Sequence, residues 1–155
     1  ELDRVADVVS VPVIDGRMIC SVAFQGRVAC FDMSQGGSLI WSRDISSAAG
    51  LALDNRYLFV TDDRGAVHAL DRNSGSSMWK QDKLLNRAVS GAAVQGSVVA
   101  VADAEGIVHF LSREDGSFVA RKKIDGTPVR TPVRTLGSAF LVQTSGGSVS
   151  AIEAR

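Results

Sequence analysis

The sequence has no excess of either charge, since seventeen Lys and Arg residues offset seventeen Asp and Glu. Without a one-signed field it lacks the electrostatic footprint that nucleic acid or an anionic membrane surface requires. Its most basic run, Arg121-Lys122-Lys123, has no aromatic neighbour for stacking and reads as a solvated strand end. No stretch approaches the roughly 18 consecutive apolar residues that cross a bilayer as a helix. The opening ELDRVADVV lacks the charged-then-apolar layout of a signal peptide. Cysteine and histidine are scarce, at two each, and no Cys or carboxylate joins the histidines at metal-ligand spacing. Helical periodicity is missing too. Apolar residues come in short bursts rich in Val, Ile and Phe, bounded by Gly, Asn, Asp and Ser turns. The segment KQDKLLNRAV, residues 80–89, comes nearest to an exception and is expected to hold one helical turn inside a loop.

What is present is a repeat. The phrase Gly-x-Val followed by small or aromatic apolar residues occurs at Gly26, Gly65, Gly106 and Gly147, as GRVACFD, GAVHALD, GIVHFLS and GSVSAIE. The period is about 40 residues, the size of a propeller blade. Each phrase follows an upstream turn residue (Gly16, Asn55, Gly96, Gly137) and an intervening apolar run, which together predict a hairpin. Turns written DMSQGG, DRNSGS and SREDGS then lead to a further strand, and a short strand opens each unit. Four short strands per period predict an all-β fold, a β-propeller fragment of about four blades. The units are expected at residues 9–46, 47–85, 86–125 and 126–155, the last without its outer strand. The glycines in DDRG, DAEG and TSGG sit where a tight hairpin requires positive φ. Because the chain starts without Met inside a repeating pattern, it is expected to be part of a longer protein. An open arc would leave apolar blade faces and strand edges uncovered, so the chain alone is expected to homo-oligomerise and close a ring.

The phrases DMSQGGSLIW and DRNSGSSMW resemble the quinoprotein-type propeller repeat, with Trp41 and Trp79 in the place of the tryptophan that docks on the neighbouring blade and Ala120 departing from it. The longer succession RVADVVSVPVIDGRMICSVAFQGRVACFDMSQGGSLIW, continued by KQDKLLNRAVSGAAVQGSVVAVADAEGIVHFLSREDGSFVARKKIDG, is similar to the C-terminal half of the BamB family. That resemblance implies an eight-bladed, lipid-anchored scaffold at the periplasmic face of the outer membrane of Gram-negative bacteria. It implies as partners the POTRA domains of BamA within the β-barrel assembly complex, and admits nascent outer-membrane proteins as a further contact. The family's acidic partner-contacting stretch falls on RVADVVSVPV, where Asp7 matches the first acid and Val9 stands in place of the second; Asp3 and Arg4 are the neighbouring candidates. No cofactor or catalytic residue is expected. Two rival readings are a generic interaction propeller of another pathway and a quinoprotein dehydrogenase fragment. The enzyme carries adjacent cysteines, whereas Cys20 and Cys30 lie ten residues apart.

Cys20 and Cys30 follow their turn glycines at equal distance and so face each other across one hairpin, in slots held elsewhere by Phe59 and Ala69 or Ala100 and Phe110. Free buried thiols are favoured over a bridge, because antiparallel neighbours seldom meet disulfide geometry. His68 and His109 share one slot in successive units, where the others have Ala29 and Ser150, and a surface or interface role is expected for them. The acids Asp62, Asp63, Asp103 and Glu105 fall at hairpin turns, where Asp satisfies local backbone donors.

Overall fold

Each glycine phrase closes a hairpin, and the hairpins are grouped into four separate antiparallel sheets. The structure, a computed structural model, describes residues 7–154. The first sheet contains β1 (Val13–Asp15), β2 (Met18–Val22), β3 (Val28–Asp32) and β4 (Ser38–Arg43). The second contains β5 (Leu51–Leu53), β6 (Tyr57–Thr61), β7 (Val67–Asp71) and β8 (Ser77–Gln81), and the third β9 (Ala93–Gln95), β10 (Val98–Ala102), β11 (Ile107–Ser112) and β12 (Phe118–Lys123). The fourth has three strands, β13 (Arg134–Leu136), β14 (Ala139–Gln143) and β15 (Val149–Glu153). Strand order within every sheet follows chain order, the up-and-down meander of a propeller blade.

The central hairpins repeat one register: Val22 pairs with Val28, Thr61 with Val67, Ala102 with Val108 and Gln143 with Val149. Gly65, Gly106 and Gly147 have φ of +97°, +70° and +93°, a region that disfavours residues with a Cβ. At Gly106 a side chain would also meet the Thr127 carbonyl oxygen at 2.6 Å. In the first hairpin the positive φ, 54°, falls on Gln25. The expected helical turn in residues 80–89 is absent; bonds from Leu85 N–H to Asp82 O and from Arg87 N–H to Leu84 O make tight turns there. A 3-10 turn occurs instead at Met33–Gln35, where the Asp32 carboxylate accepts from the Ser34 N–H.

The core lies between sheets rather than within one. Along β6, Leu58 and Val60 pack with Cys20, Val22, Val28 and Trp41 of the first sheet, while Tyr57 and Phe59 pack with Val99, Val101 and Leu111 of the third. This is the period-two consequence of a strand covered on both faces. A third cluster joins the third and fourth sheets through Phe110, Phe140, Val142 and Ile152. Outer strands carry a register shift at the same place in three sheets, so that Ile40, Met78 and Val119 are left without a partner across the ladder. Such bulges re-aim the following side chain. Trp41 thereby reaches the second sheet, donating Nε1–H to Arg72 O at 2.8 Å, and Trp79 reaches the third, donating to Arg113 O at 2.8 Å. Each indole lies on a glycine of the receiving turn: a Cβ at Gly75 or Gly116 would come within 2.5 Å of the ring.

One expectation is overturned here. Cys20 and Cys30 are joined in a disulfide, not left as free thiols. Their residues pair directly across β2 and β3 with Cα atoms 4.1 Å apart, the close spacing of a non-hydrogen-bonded antiparallel pair. The bridge fills the slot that Phe59–Ala69 and Phe110–Ala100 fill with one large and one small side chain.

Candidate partner-binding face

The segments entering the four sheets follow one backbone plan at one rim. The carbonyl oxygens of Asp7, Ser46, Arg87 and Pro128 accept from the N–H groups of Phe24, Asp63, Ala104 and Ser145 at 2.8, 3.0, 3.0 and 2.8 Å. Each pairing ties an entering segment to a hairpin turn. Asp7, the sequence-predicted contact, is therefore fixed by its backbone at the start of this rim, with its residue exposed and its N–H also bonded to Phe24 O. Asp3 and Arg4 lie outside the described residues. Val9, in the slot of the family's second acid, is 53% exposed.

Beside Asp7 the rim surrounds an open concavity of about 740 Å³, lined by the entering segments of all four sheets. Its apolar wall includes Val9, Val11 and Phe24, and its charged lining includes Asp63, Arg130 and Arg134. Sequence reasoning singled out none of Phe24, Arg130 and Arg134. The available signal was the doubled tetrapeptide in TPVRTPVR, residues 127–134, whose Val129 and Val133 are buried while both arginines remain exposed.

Neither histidine stands open at the surface: His109 is buried and His68 partly buried. His109 is 1% exposed, and its Nε2 lies 2.8 Å from Asp103 Oδ2; His68 makes the same 2.8 Å pair with Asp62 Oδ2. The other carboxylate oxygen holds the turn. Asp62 Oδ1 accepts from the N–H groups of Arg64 and Ala66, and Asp103 Oδ1 from those of Glu105 and Ile107. Arg87 adds a bond from Nε to Asp103 Oδ2 at 2.7 Å, locking an entering segment onto the brace. Burial acts to raise the pKa of both aspartates, but the histidine and backbone hydrogen bonds outweigh it and hold both carboxyls below the usual range. His109 Nδ1 is buried without a hydrogen-bond partner, so the neutral tautomer that satisfies the pair carries its hydrogen at Nε2. In the first and fourth sheets the corresponding residues are Ala23 with Ala29 and Thr144 with Ser150, and Thr144 donates instead to Asp125.

Arginines on the other side of the sheets are compensated. Arg72 meets Asp15 at 2.7 Å across the first seam, and Arg113 meets Asp54 at 2.5 Å across the second. Tyr57, 1% exposed, is flanked by Arg56 and Arg113 at 4.9 and 4.8 Å from its ring centre. These contacts cement the seams between consecutive sheets.

Comparison with known proteins agrees with this architecture. The family model described as outer membrane protein assembly factor BamB matches residues 1–81. The BamB protein of Bordetella pertussis is 45% identical over 99% of this chain, and that of Pseudomonas aeruginosa 39% over 100%. The chain spans 40% of the length of each of these relatives. The crystal structure of BamB from Moraxella catarrhalis superposes with a TM-score of 0.91 at 22% identity, covering 98% of this chain and 46% of that one, a likeness of fold. With one family model matching more than half of its residues and relatives similar along nearly all of them, this chain belongs to the BamB family.

Proposed function

We infer that this chain forms part of a non-catalytic scaffold that assists insertion of β-barrel proteins into the outer membrane from its periplasmic side. The inference rests on family membership, since the matched relatives are named outer membrane protein assembly factors. The proposed partner is BamA, gripped through its POTRA domains, with the scaffold tethered by a lipid anchor carried outside this chain. The observation that carries the partner reading is the position of Asp7: backbone-fixed, exposed, and next to an apolar concavity. A rim of this kind suits a polar contact of modest area, as in assemblies whose parts move relative to one another. By itself the chain is proposed to close a ring with further copies, because residues such as Ile14 and Val149, 70% and 63% exposed, lie on the first and last sheets. A monodisperse monomer in sedimentation velocity would oppose that closure.

The test of the partner reading is retention of purified BamA POTRA domains. Asp7→Arg is expected to weaken binding by about tenfold or more, the usual effect of reversing a charge at a contact, while the thermal midpoint stays unchanged. Unaltered affinity would remove Asp7 from the contact, and absence of any binding would remove the partner.

A further inference from the structure

Three of the four hairpin turns at the rim are built alike, and the first is built differently. In every turn the fourth residue donates its N–H to the carbonyl of the first: Gly26 to Ala23, Gly65 to Asp62, Gly106 to Asp103 and Gly147 to Thr144, at 3.3, 3.0, 3.1 and 3.1 Å. In the last three turns the positive φ falls on that fourth residue, a glycine; in the first it has moved one place forward, to Gln25. A Cβ disfavours this conformation, so the first turn holds strain that the shared plan avoids. With the altered turn comes a bond that the others lack. Phe24 O accepts from the Asp7 N–H at 3.3 Å, in addition to the bond from Phe24 N–H to Asp7 O that has a counterpart in every sheet. Gln25 N–H donates to Ser46 Oγ at 2.9 Å, on the segment entering the second sheet. The turn is thus held from both sides.

Phe24 takes the second position of its turn, which Asp63, Ala104 and Ser145 take in the other sheets, all of them exposed. The second and third sheets are packed on both sides and have complete entering segments. Their turns show that this position faces solvent by its place at the tip, not for want of a neighbour. They show also that a small or polar residue satisfies the fold there, whereas the first turn places an aromatic ring, 37% exposed, next to Asp7. We propose that Phe24 is the apolar anchor of the partner contact at this rim, its ring entering an apolar pocket on the partner beside the contact made by Asp7. A ring with few rotatable bonds on a turn already fixed loses little freedom on binding, and such residues dominate the energy of interfaces. The inference rests on the partner-binding reading and adds to it the apolar chemistry of the contact.

The test titrates purified BamA POTRA domains with the intact chain at low and at high salt. Phe24→Ala and Phe24→Asp give the first turn the residues that the third and second already carry, so both variants are expected to keep the parent's circular dichroism melt. Affinity is compared below the onset of any transition, so that only folded chain is read. Each variant is expected to weaken binding by about tenfold or more, the loss usual for an aromatic anchor. For Phe24→Ala that factor is expected to be the same at both salt concentrations, whereas the loss on Asp7→Arg, a charge effect, shrinks as salt rises. Phe24→Leu, which keeps apolar bulk, is expected to bind more tightly than Phe24→Ala. Alanine and aspartate variants that bind like the parent overturn the proposal, and so does a Phe24→Ala loss that fades with salt as that of Asp7→Arg does. A parent chain that binds but is indifferent to Phe24 leaves the proposed function standing without this inference; a parent chain that does not bind removes both.

Discussion

The second and third sheets differ from the first and fourth in how completely each strand is enclosed. All five residues of β6 and of β10 are buried, whereas β2 and β14 each keep partly exposed positions. The polar groups follow the same division. The inner two sheets contain the Asp62–His68 and Asp103–His109 braces; the outer two make do with alanines or with hydroxyls. A buried aspartate is tolerable only where several donors surround it, and a sheet packed on both faces can supply them. Enclosure and polar bracing therefore go together, and substitutions at three places probe whether they are coupled.

The largest effect is expected at the tryptophans. Trp79→Ala removes a nearly buried indole at the central seam and should cost about 3–5 kcal/mol. Trp41→Ala removes the matching indole at the first seam. If enclosure decides, Trp79→Ala lowers the whole urea transition, while Trp41→Ala produces an early partial transition confined to the first sheet. The remaining tryptophan reports fluorescence in each variant, and identical unfolding curves would break the comparison. Next in size is the Cys20–Cys30 bridge, whose small loop is expected to contribute about 2–3 kcal/mol through the unfolded chain. Cys20→Ala with Cys30→Ala should lose that amount in chemical denaturation. Cys20→Phe with Cys30→Ala, copying Phe59–Ala69, should recover part of it if the first sheet has room for the second sheet's packing.

The smallest of the three effects is at the brace. Asp103→Asn should cost about 1–3 kcal/mol at neutral pH by weakening the bonds to His109 and Arg87. Because the folded carboxyls of Asp62 and Asp103 lie below their unfolded value of about 4, their contribution is present above that pH and is lost as the pH falls through the folded values. The parent chain should therefore destabilise on acidification more steeply than the asparagine variant. Parallel pH profiles would show that the brace holds turn geometry without linking it to protonation.

Much of this architecture was readable from the residues, because propeller blades are punctuated by glycine turns whose positive φ constrains residue choice. The meander, the hairpin registers and the turn role of Asp62 and Asp103 all follow from local chemistry. What escaped depends on distance across the sheet stack. The cysteine pair could be aligned from its spacing, but the closeness of the two backbones could not. The histidines looked superficial because nothing in the sequence places a carboxylate six residues upstream beside the ring. In the first hairpin the left-handed conformation falls on Gln25, a residue that nothing in the local sequence marks for it.

Since every apolar cluster is shared by two consecutive sheets, no sheet owns the contacts that keep it folded. The free energy of such a molecule is a chain of neighbour couplings, in which the end members have one coupling and the interior members two. Fraying should therefore run inward from either extremity, and hydrogen exchange should slow stepwise toward Tyr57, Val99 and their surroundings. A further sheet laid on either end face would give that end its second coupling, and exchange there should then slow to match the interior.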